Sequence, residues 1–278
     1  MFGIFLTSFA SFFTEVSDSI GKQQVSQYKQ SIFTMIFLQL FCGTIIYVLI
    51  FLVKPESFVF SFASLPFFVT RIFLELVQSY STVRAITFVD RSTFSFIRIG
   101  TIPLLAIVDF FIGYQLSLFK LAGIGIIVFT LLFVFINRNI KKTGVGWVIF
   151  STLNAVITLS LYKYDITNFN SVLAEQLIVY LISLIFFAVC AFVYGKENPF
   201  SFLKQRISLT QSLTNGLGGV IDSFAYGFAP ASVITAAKRS SAALWAIAAG
   251  RAYFKEKHIL IKVAVGFFLI LGLVALVL

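Results

Sequence analysis

Two adjacent cations, Lys238 and Arg239, lie inside an apolar stretch that begins at Ala231. A charged side chain at membrane depth costs about 2.5–3.5 kcal/mol on insertion scales, so its presence there indicates a function. Ammonium and guanidinium groups are common partners of carboxylate and phosphate. We therefore predict that both residues bind a substrate anion. The alternative is that they anchor a helix end or pair with nearby acids.

Acidic residues also occur in apolar surroundings. Glu15 and Asp18 are three residues apart, which puts them on one face of a helix. Together with Asp222 they are candidates for coupling to a proton or another ion. Pairing with Arg98 or Lys238 is the alternative for these acids.

A second set of charges has a structural interpretation. Arg71 and Glu75 have the i,i+4 spacing of neighbours on one helix face, so they are predicted to form an ion pair without any substrate. Glu175 is a further candidate partner for a buried cation.

The composition places these charges in a membrane. Of the 278 residues, 59% are hydrophobic and 12% are charged, against roughly 45–50% and 25% in an ordinary soluble domain. The net charge of +10 comes from Lys and Arg between apolar segments, which is typical of membrane topology and not of nucleic-acid binding. We predict a multi-pass protein of the cell or inner membrane.

Ten apolar windows have a length suited to a bilayer crossing, which takes about 20 residues. They are 2–21, 32–53, 65–88, 91–112, 117–136, 145–162, 170–194, 206–229, 231–250 and 259–278. Glu15 and Asp18 interrupt the first window, which argues against a cleaved signal peptide. Basic residues favour the loops that would leave both termini outside.

The chain also repeats itself. The segment from Gly3 to Lys22 matches the segment from Gly144 to Lys163 at an offset of 141 residues. Two further matches follow in the same order, at offsets of 140 and 143: residues 88–98 with 228–238, and 123–128 with 266–271. The chain is thus predicted to consist of two five-helix halves, 1–143 and 144–278.

An odd number of helices in each half inserts the halves with opposite orientation, as in many secondary transporters, whose substrate site lies between the repeats. The repeat makes Arg98 the counterpart of Lys238, and Asn215 the counterpart of Glu75. Two cations brought together repel unless an anion joins them. We therefore predict an anionic or zwitterionic substrate bound by Lys238, Arg239, Arg98 and Asn215.

These features resemble the drug/metabolite transporter superfamily, and its EamA-like branch in particular. The similarity covers essentially the whole chain. It is closest from Lys238 to His258, where a helix with small residues leads to Phe254-Lys255-Glu256 and then to a helix with Gly266. The first half departs from the family pattern, because Gly113-Tyr114 stands where a Gly-Glu pair is usual.

The resemblance implies an all-α membrane protein whose ten transmembrane helices form two inverted five-helix repeats. It also implies a secondary transporter that works by alternating access. The plastid phosphate and nucleotide-sugar branches have a Lys-Arg pair on the ninth helix that contacts substrate phosphate, and Lys238 and Arg239 match it. The resemblance favours cytoplasmic termini, so orientation stays open. The expected partners are a small-molecule substrate and membrane lipid. A homodimer is left open.

Two other functions are alternatives. One is a proton-coupled exporter of cationic or apolar compounds that uses the membrane acids. The other is a scaffold without transport, or a membrane enzyme acting on a lipid-linked group. The glycines of residues 215–219 lack the GxxxxGK[ST] spacing of a nucleotide-binding loop. The two cysteines and single histidine have no metal-ligand spacing. We expect no enzyme, cofactor or metal.

Overall fold

A computed structural model of the chain describes residues 1–27, 29–89, 94, 97–115, 117–136, 144–254 and 259–277. Within these ranges the protein is entirely helical, with no strand. Lys255 to His258, part of the predicted family motif, and the beginning of the window 91–112 lie outside the described residues.

The first half contains five α-helices among the described residues. They are α1 (Phe2–Ser26), α2 (Ile32–Val53), α3 (Leu65–Phe88), α4 (Thr101–Phe111) and α5 (Leu118–Ile136). A 3-10 turn, Arg98–Gly100, leads directly into α4. Pro103 fits in the first turn of α4, where its missing N–H leaves no helical bond broken.

The second half has six α-helices in its described part. They are α6 (Val145–Asn168), α7 (Val172–Val193), α8 (Pro199–Phe202), α9 (Arg206–Ala225), α10 (Ala231–Phe254) and α11 (Ile259–Val277). The one-turn helix α8 was not predicted; the Asn198 side chain starts it by accepting a hydrogen bond from the backbone N–H of Phe200. The described chain therefore has eleven α-helices where ten were predicted.

Helix ends follow local chemistry that hydropathy does not detect. The Ser31 hydroxyl accepts from the N–H of Thr34 at the start of α2, and the Ser171 hydroxyl accepts from Ala174 at the start of α7. Such caps satisfy N–H groups that lack a partner within the helix. Helix α6 continues to Asn168, beyond the predicted window 145–162, and Lys163 and Asp165 in this extension are buried in the protein.

Four of the described helices are long and apolar enough to cross a membrane: Ile32–Val53, Phe62–Phe88, Val145–Asn168 and Val172–Val193. Shorter apolar stretches occur at Leu118–Thr130 and Gly266–Leu276. Large apolar side chains such as Phe73 and Ile185 are about two-thirds exposed on these helices, as expected for surfaces that face lipid. The protein is thus a helical membrane protein.

Helices of the two halves pack against each other. The most extensive contact joins α1 to α9, and other large contacts join α2 to α7 and α9, α3 to α6, α5 to α11, and α10 to α1 and α4. Thr7 contacts Asp222 and Ser17 contacts Gln211, so α1 and α9 run antiparallel. Each half therefore completes its core with the other.

Glycines allow close approach at these contacts. A Cβ atom added to Gly216 on α9 would lie 2.6 Å from the backbone nitrogen of Gly43 on α2. Gly144, which begins α6 with a φ of +82°, faces Val89 at the end of α3, where an added Cβ would lie 2.7 Å away. Small residues let membrane helices gain dispersion energy over a long contact.

We predict that Gly216→Ala destabilises the protein, because the new methyl group must separate α2 and α9. The expected loss is about 1–3 kcal/mol, as for other overpacked contacts. The matched control is Gly125→Ala in α5, where nothing lies within 4 Å of an added Cβ. Thermal unfolding of the purified variants measures both. Equal unfolding temperatures for the two variants would contradict the close contact.

Candidate functional site

Lys238 of α10 is neutralised inside the protein. Its Nζ lies 2.7 Å from Oδ2 of Asp222 on α9, and the other oxygen of this carboxylate accepts a hydrogen bond from the Thr7 hydroxyl on α1. The lysine side chain is 28% exposed and the aspartate 10%. Three helices from both halves therefore meet at one ion pair, and Asp222, a coupling candidate, is the partner of Lys238.

Arg98 and Arg239 form the second part of the site. Each lies within electrostatic range of the other, although they come from different halves. The Nε atom of each is buried, and no described residue forms a hydrogen bond with it. The Arg98 guanidinium also lies over the ring of Phe94, 5.2 Å from its centroid. A buried guanidinium N–H without a hydrogen bond from the described residues is suited to a carboxylate or phosphate.

Acids surround these two arginines. Glu15 and Asp18 lie within electrostatic range of Arg239, and Asp18 and Glu75 lie within range of Arg98. Oδ1 of Asp18 accepts a hydrogen bond of 2.9 Å from the Gln39 side chain on α2. The region therefore presents both signs of charge, as a zwitterion would require. The repeat predicted that Lys238 lies near Arg98. In the structure, the cation within electrostatic range of Arg98 is Arg239.

Asn215, the remaining predicted substrate ligand, makes a helix contact. Its amide nitrogen donates to the backbone carbonyl of Gln39 at 2.7 Å, which ties α9 to α2 beside the Gly43 and Gly216 contact. A polar side chain that satisfies backbone across a helix interface is commonly structural.

Arg71 does not form the predicted ion pair with Glu75. Its guanidinium pairs with Glu175 on α7, where the side-chain exposures are 5% and 0%, and it lies over the ring of Tyr162, 4.6 Å from the centroid. Glu75 is half-buried and shares one face of α3 with Arg71. The fully buried carboxylate has lost all its water, so it gains more from the cation than Glu75 does.

Three further polar contacts were missed by sequence reasoning. Lys22 donates to the carbonyl of Val89 and Lys163 to that of Tyr226, each at 2.7 Å. The buried Asp109 carboxylate of α4 accepts from the N–H of Ser232, 2.7 Å away in the first turn of α10. The sequence signal for Asp109 was a single acid in the apolar window 91–112.

Arg84, a fourth arginine, is held by aromatic rings. The Arg84 guanidinium donates to the Tyr80 hydroxyl and lies 4.9 Å from the ring centroid of Trp147 and 5.5 Å from that of Phe88. Cation–π contacts of this kind stabilise a partly desolvated guanidinium. Its interactions are internal to the end of α3 and the start of α6.

Comparison with known proteins gives the fold and no function. No family matches the chain, and no curated protein matches it. A solved crystal structure, described only as that of a protein, has a TM-score of 0.68 and 10% sequence identity. The match covers 97% of this chain and 94% of that one. The chain therefore shares its helical fold with a solved structure along nearly its full length.

We predict that Glu175→Gln strongly destabilises the protein, because it leaves Arg71 buried without its counter-charge. Breaking a buried pair on one side costs about 3–5 kcal/mol. Glu75→Gln is the matched control and should change the unfolding temperature little. If instead Glu75→Gln costs as much as Glu175→Gln, the ion pair assigned to Arg71 is wrong.

Proposed function

We propose that this chain is a carrier of the drug/metabolite transporter type. Ten of its helices, all except the one-turn α8, span the membrane as two inverted five-helix repeats, 1–143 and 144–278. It moves a small anionic or zwitterionic metabolite by alternating access, with the substrate bound between the halves. The chain carries out no covalent chemistry and uses no cofactor.

The helix contacts support the repeat. Exchanging the halves replaces α1 by α6, α3 by α9 and α4 by α10. The contact of α1 with α9 then becomes that of α6 with α3, and the contact of α1 with α10 becomes that of α6 with α4; all four are present. Contacts of α2 with α7 and of α5 with α11 map onto themselves. An arrangement of this kind is expected of two related halves.

The register within these contacts also agrees. Gly218 of α9 approaches Ala10 and Thr14 of α1, and Gln78 of α3 accepts a hydrogen bond of 2.8 Å from Asn154 of α6. Gly218 and Gln78 are 140 residues apart in the chain. Equivalent positions of the two halves are therefore used at equivalent interfaces.

The observation that carries the proposal is the pair of lysine contacts. Lys22, at the end of the first repeat segment, donates to the carbonyl after α3, and Lys163, its counterpart, donates to the carbonyl after α9. Val89, the acceptor of Lys22, also packs against Gly144 at the start of α6. Lys163 lies 19 residues farther along α6, or about 28 Å away. The same bond thus forms at opposite ends of the bundle.

The charged region contains residues from both halves. Arg98 comes from the first half and Arg239 from the second, so relative movement of the halves would change their separation. An anion that bridges them would favour the state in which both contact it, which is how a substrate can bias a conformational equilibrium. The nearby carboxylates of Glu15 and Asp18 suit the amino group of a zwitterion.

One observation favours a second function. Three half-buried acids, Glu15, Asp18 and Glu75, lie within electrostatic range of Arg98 or Arg239. Carboxylates inside a membrane protein are common proton-binding groups of pumps and transporters. A proton-coupled exporter of cationic compounds would use such a site.

Ten spans predict that both termini lie on the same side of the membrane. A reporter that is active on only one side should therefore give the same signal when fused to the N-terminus or to the C-terminus. A reporter in the turn after Phe111 and one after Asn168 should give the same signal. With ten spans these turns follow about four and about six crossings, both even numbers. Termini on opposite sides would rule out ten spans.

Transport can be tested in vesicles that contain the purified protein, are preloaded with an unlabelled amino acid, sugar phosphate or nucleotide, and then receive a labelled trace of the same compound outside. We expect counterflow of at least one anionic or zwitterionic compound. Arg98→Gln and Arg239→Gln should each lower its uptake about tenfold or more, the loss expected for a charge-assisted hydrogen bond.

Arg84→Gln serves as the matched control, because its guanidinium is held by aromatic rings outside this group. If only cationic compounds move, and the Arg98 and Arg239 variants move them as the unmodified protein does, the proton-coupled exporter is favoured. Absence of counterflow for every compound would argue for a scaffold.

A further inference from the structure

A cavity of about 300 Å³ lies at one end of the bundle, away from the arginine pair. Three segments line it: the last turns of α6, the turn between α4 and α5, and the turn between α9 and α10. Its polar wall is formed by Lys163, Tyr114 and Thr167. The volume is at the lower end of the range for small-molecule sites, which is about 300–1,000 Å³.

Lys163 brings a positive charge to this cavity. The residue is 4% exposed, and its ammonium group donates one hydrogen bond, to the Tyr226 carbonyl. Its Nζ lies 5.3 Å from the ring centroid of Tyr114. An ammonium has three N–H donors, and a carbonyl and a ring face compensate its charge only in part.

The acid facing Lys163 does not neutralise it by contact. Asp109 lies within electrostatic range, yet its carboxylate is directed to the N–H of Ser232. Within the described residues no ion pair joins Asp109 to Lys163 at 4 Å or less. The cavity therefore keeps a cation whose strongest available partner would be an incoming anion.

Hydroxyl groups and apolar surface complete the site. The Thr167 hydroxyl donates its proton to the Lys163 carbonyl at 2.7 Å. The Tyr114 hydroxyl lies 3.2 Å from Thr167 Oγ1 at the cavity wall, and it can turn its proton to an oxyanion. Phe228 in the wall is 60% exposed, and Phe110 and Phe111, just before the turn that carries Tyr114, are 73% and 80% exposed. A cationic recess beside exposed phenyl rings matches a molecule with an anionic head and an apolar tail.

We propose that this cavity binds a phosphate group, with Lys163 as its charge partner and the Tyr114 hydroxyl as a hydrogen-bond donor. The phosphate comes from the head group of an anionic lipid or from a soluble phosphate compound. The site is separate from Arg98 and Arg239, so it does not depend on the proposed transport.

Binding can be measured as thermal stabilisation of the purified full-length protein, which rises with ligand concentration by mass action. The probes are dioctanoyl phosphatidic acid, dioctanoylglycerol, which differs from it only by the phosphate, and inorganic phosphate. We expect phosphatidic acid to stabilise the protein and dioctanoylglycerol not to do so. Stabilisation by inorganic phosphate as well would identify a soluble phosphate as a sufficient ligand, and its absence would identify the lipid.

Lys163→Gln should weaken the apparent affinity for phosphatidic acid about tenfold or more, while Lys163→Arg retains most of it. Lys54→Gln, which removes an exposed lysine outside the cavity, is the matched control. Because Lys163 also holds the Tyr226 carbonyl, Ala229→Phe provides a second test that fills the cavity and keeps the lysine. Equal stabilisation by dioctanoylglycerol, or unchanged affinity in both Lys163→Gln and Ala229→Phe, would overturn the proposal.

Discussion

Charges that leave water for the interior of a helical bundle must find their counter-charges inside it, and this constraint organises the centre of the protein. Arg71 crosses from α3 to the fully buried Glu175 of α7, and Lys238 of α10 meets Asp222 of α9. The first pair links helices of different halves, and the second links two consecutive helices. Unpaired, any of these groups would carry a desolvation cost of several kcal/mol, so the pairs also fix which helices can be neighbours.

Close helix packing also follows from the membrane environment. Lipid tails are as apolar as leucine, so helices in a membrane associate through dispersion contacts and hydrogen bonds and not through the hydrophobic effect. Gly216 against Gly43 and Gly218 against Ala10 bring α9 close to both α2 and α1. Hydrogen bonds such as that of Asn215 to the Gln39 carbonyl then become short enough to form. The tight interfaces therefore lie between the halves, around the charged region.

The two ends of the bundle contain similar lysine–carbonyl bonds and differ in their surroundings. Lys22 and Lys163 each hold the carbonyl that follows a helix C-terminus, where four carbonyl groups lack intrahelical partners and a cation is favourable. At the Lys163 end, the buried Asp109 additionally holds the first turn of α10. This bond joins a first-half carboxylate to a second-half helix, so it helps to hold the two halves together at that end.

The sequence by itself determined the class of protein and the approximate positions of its helices. Hydropathy is a local property, because each span must be apolar along its own length, and the windows 32–53 and 65–88 agree with α2 and α3. The match of Gly3 to Lys22 with Gly144 to Lys163 ended at two lysines that make the same kind of bond. The ten-span inverted repeat and the transport function stay predictions, since the structure by itself confirms a helical membrane protein.

The tertiary structure decided which charges meet. From spacing alone, Glu75 was the nearest acid to Arg71, and Lys238 was the expected neighbour of Arg98. In the folded protein Arg71 pairs with Glu175 and Lys238 pairs with Asp222. Arg239 lies within electrostatic range of Arg98. Sequence separation does not encode these choices, because the free energy of a buried charge depends on how completely each candidate partner is removed from water. That quantity is set only when helices from both halves have packed together.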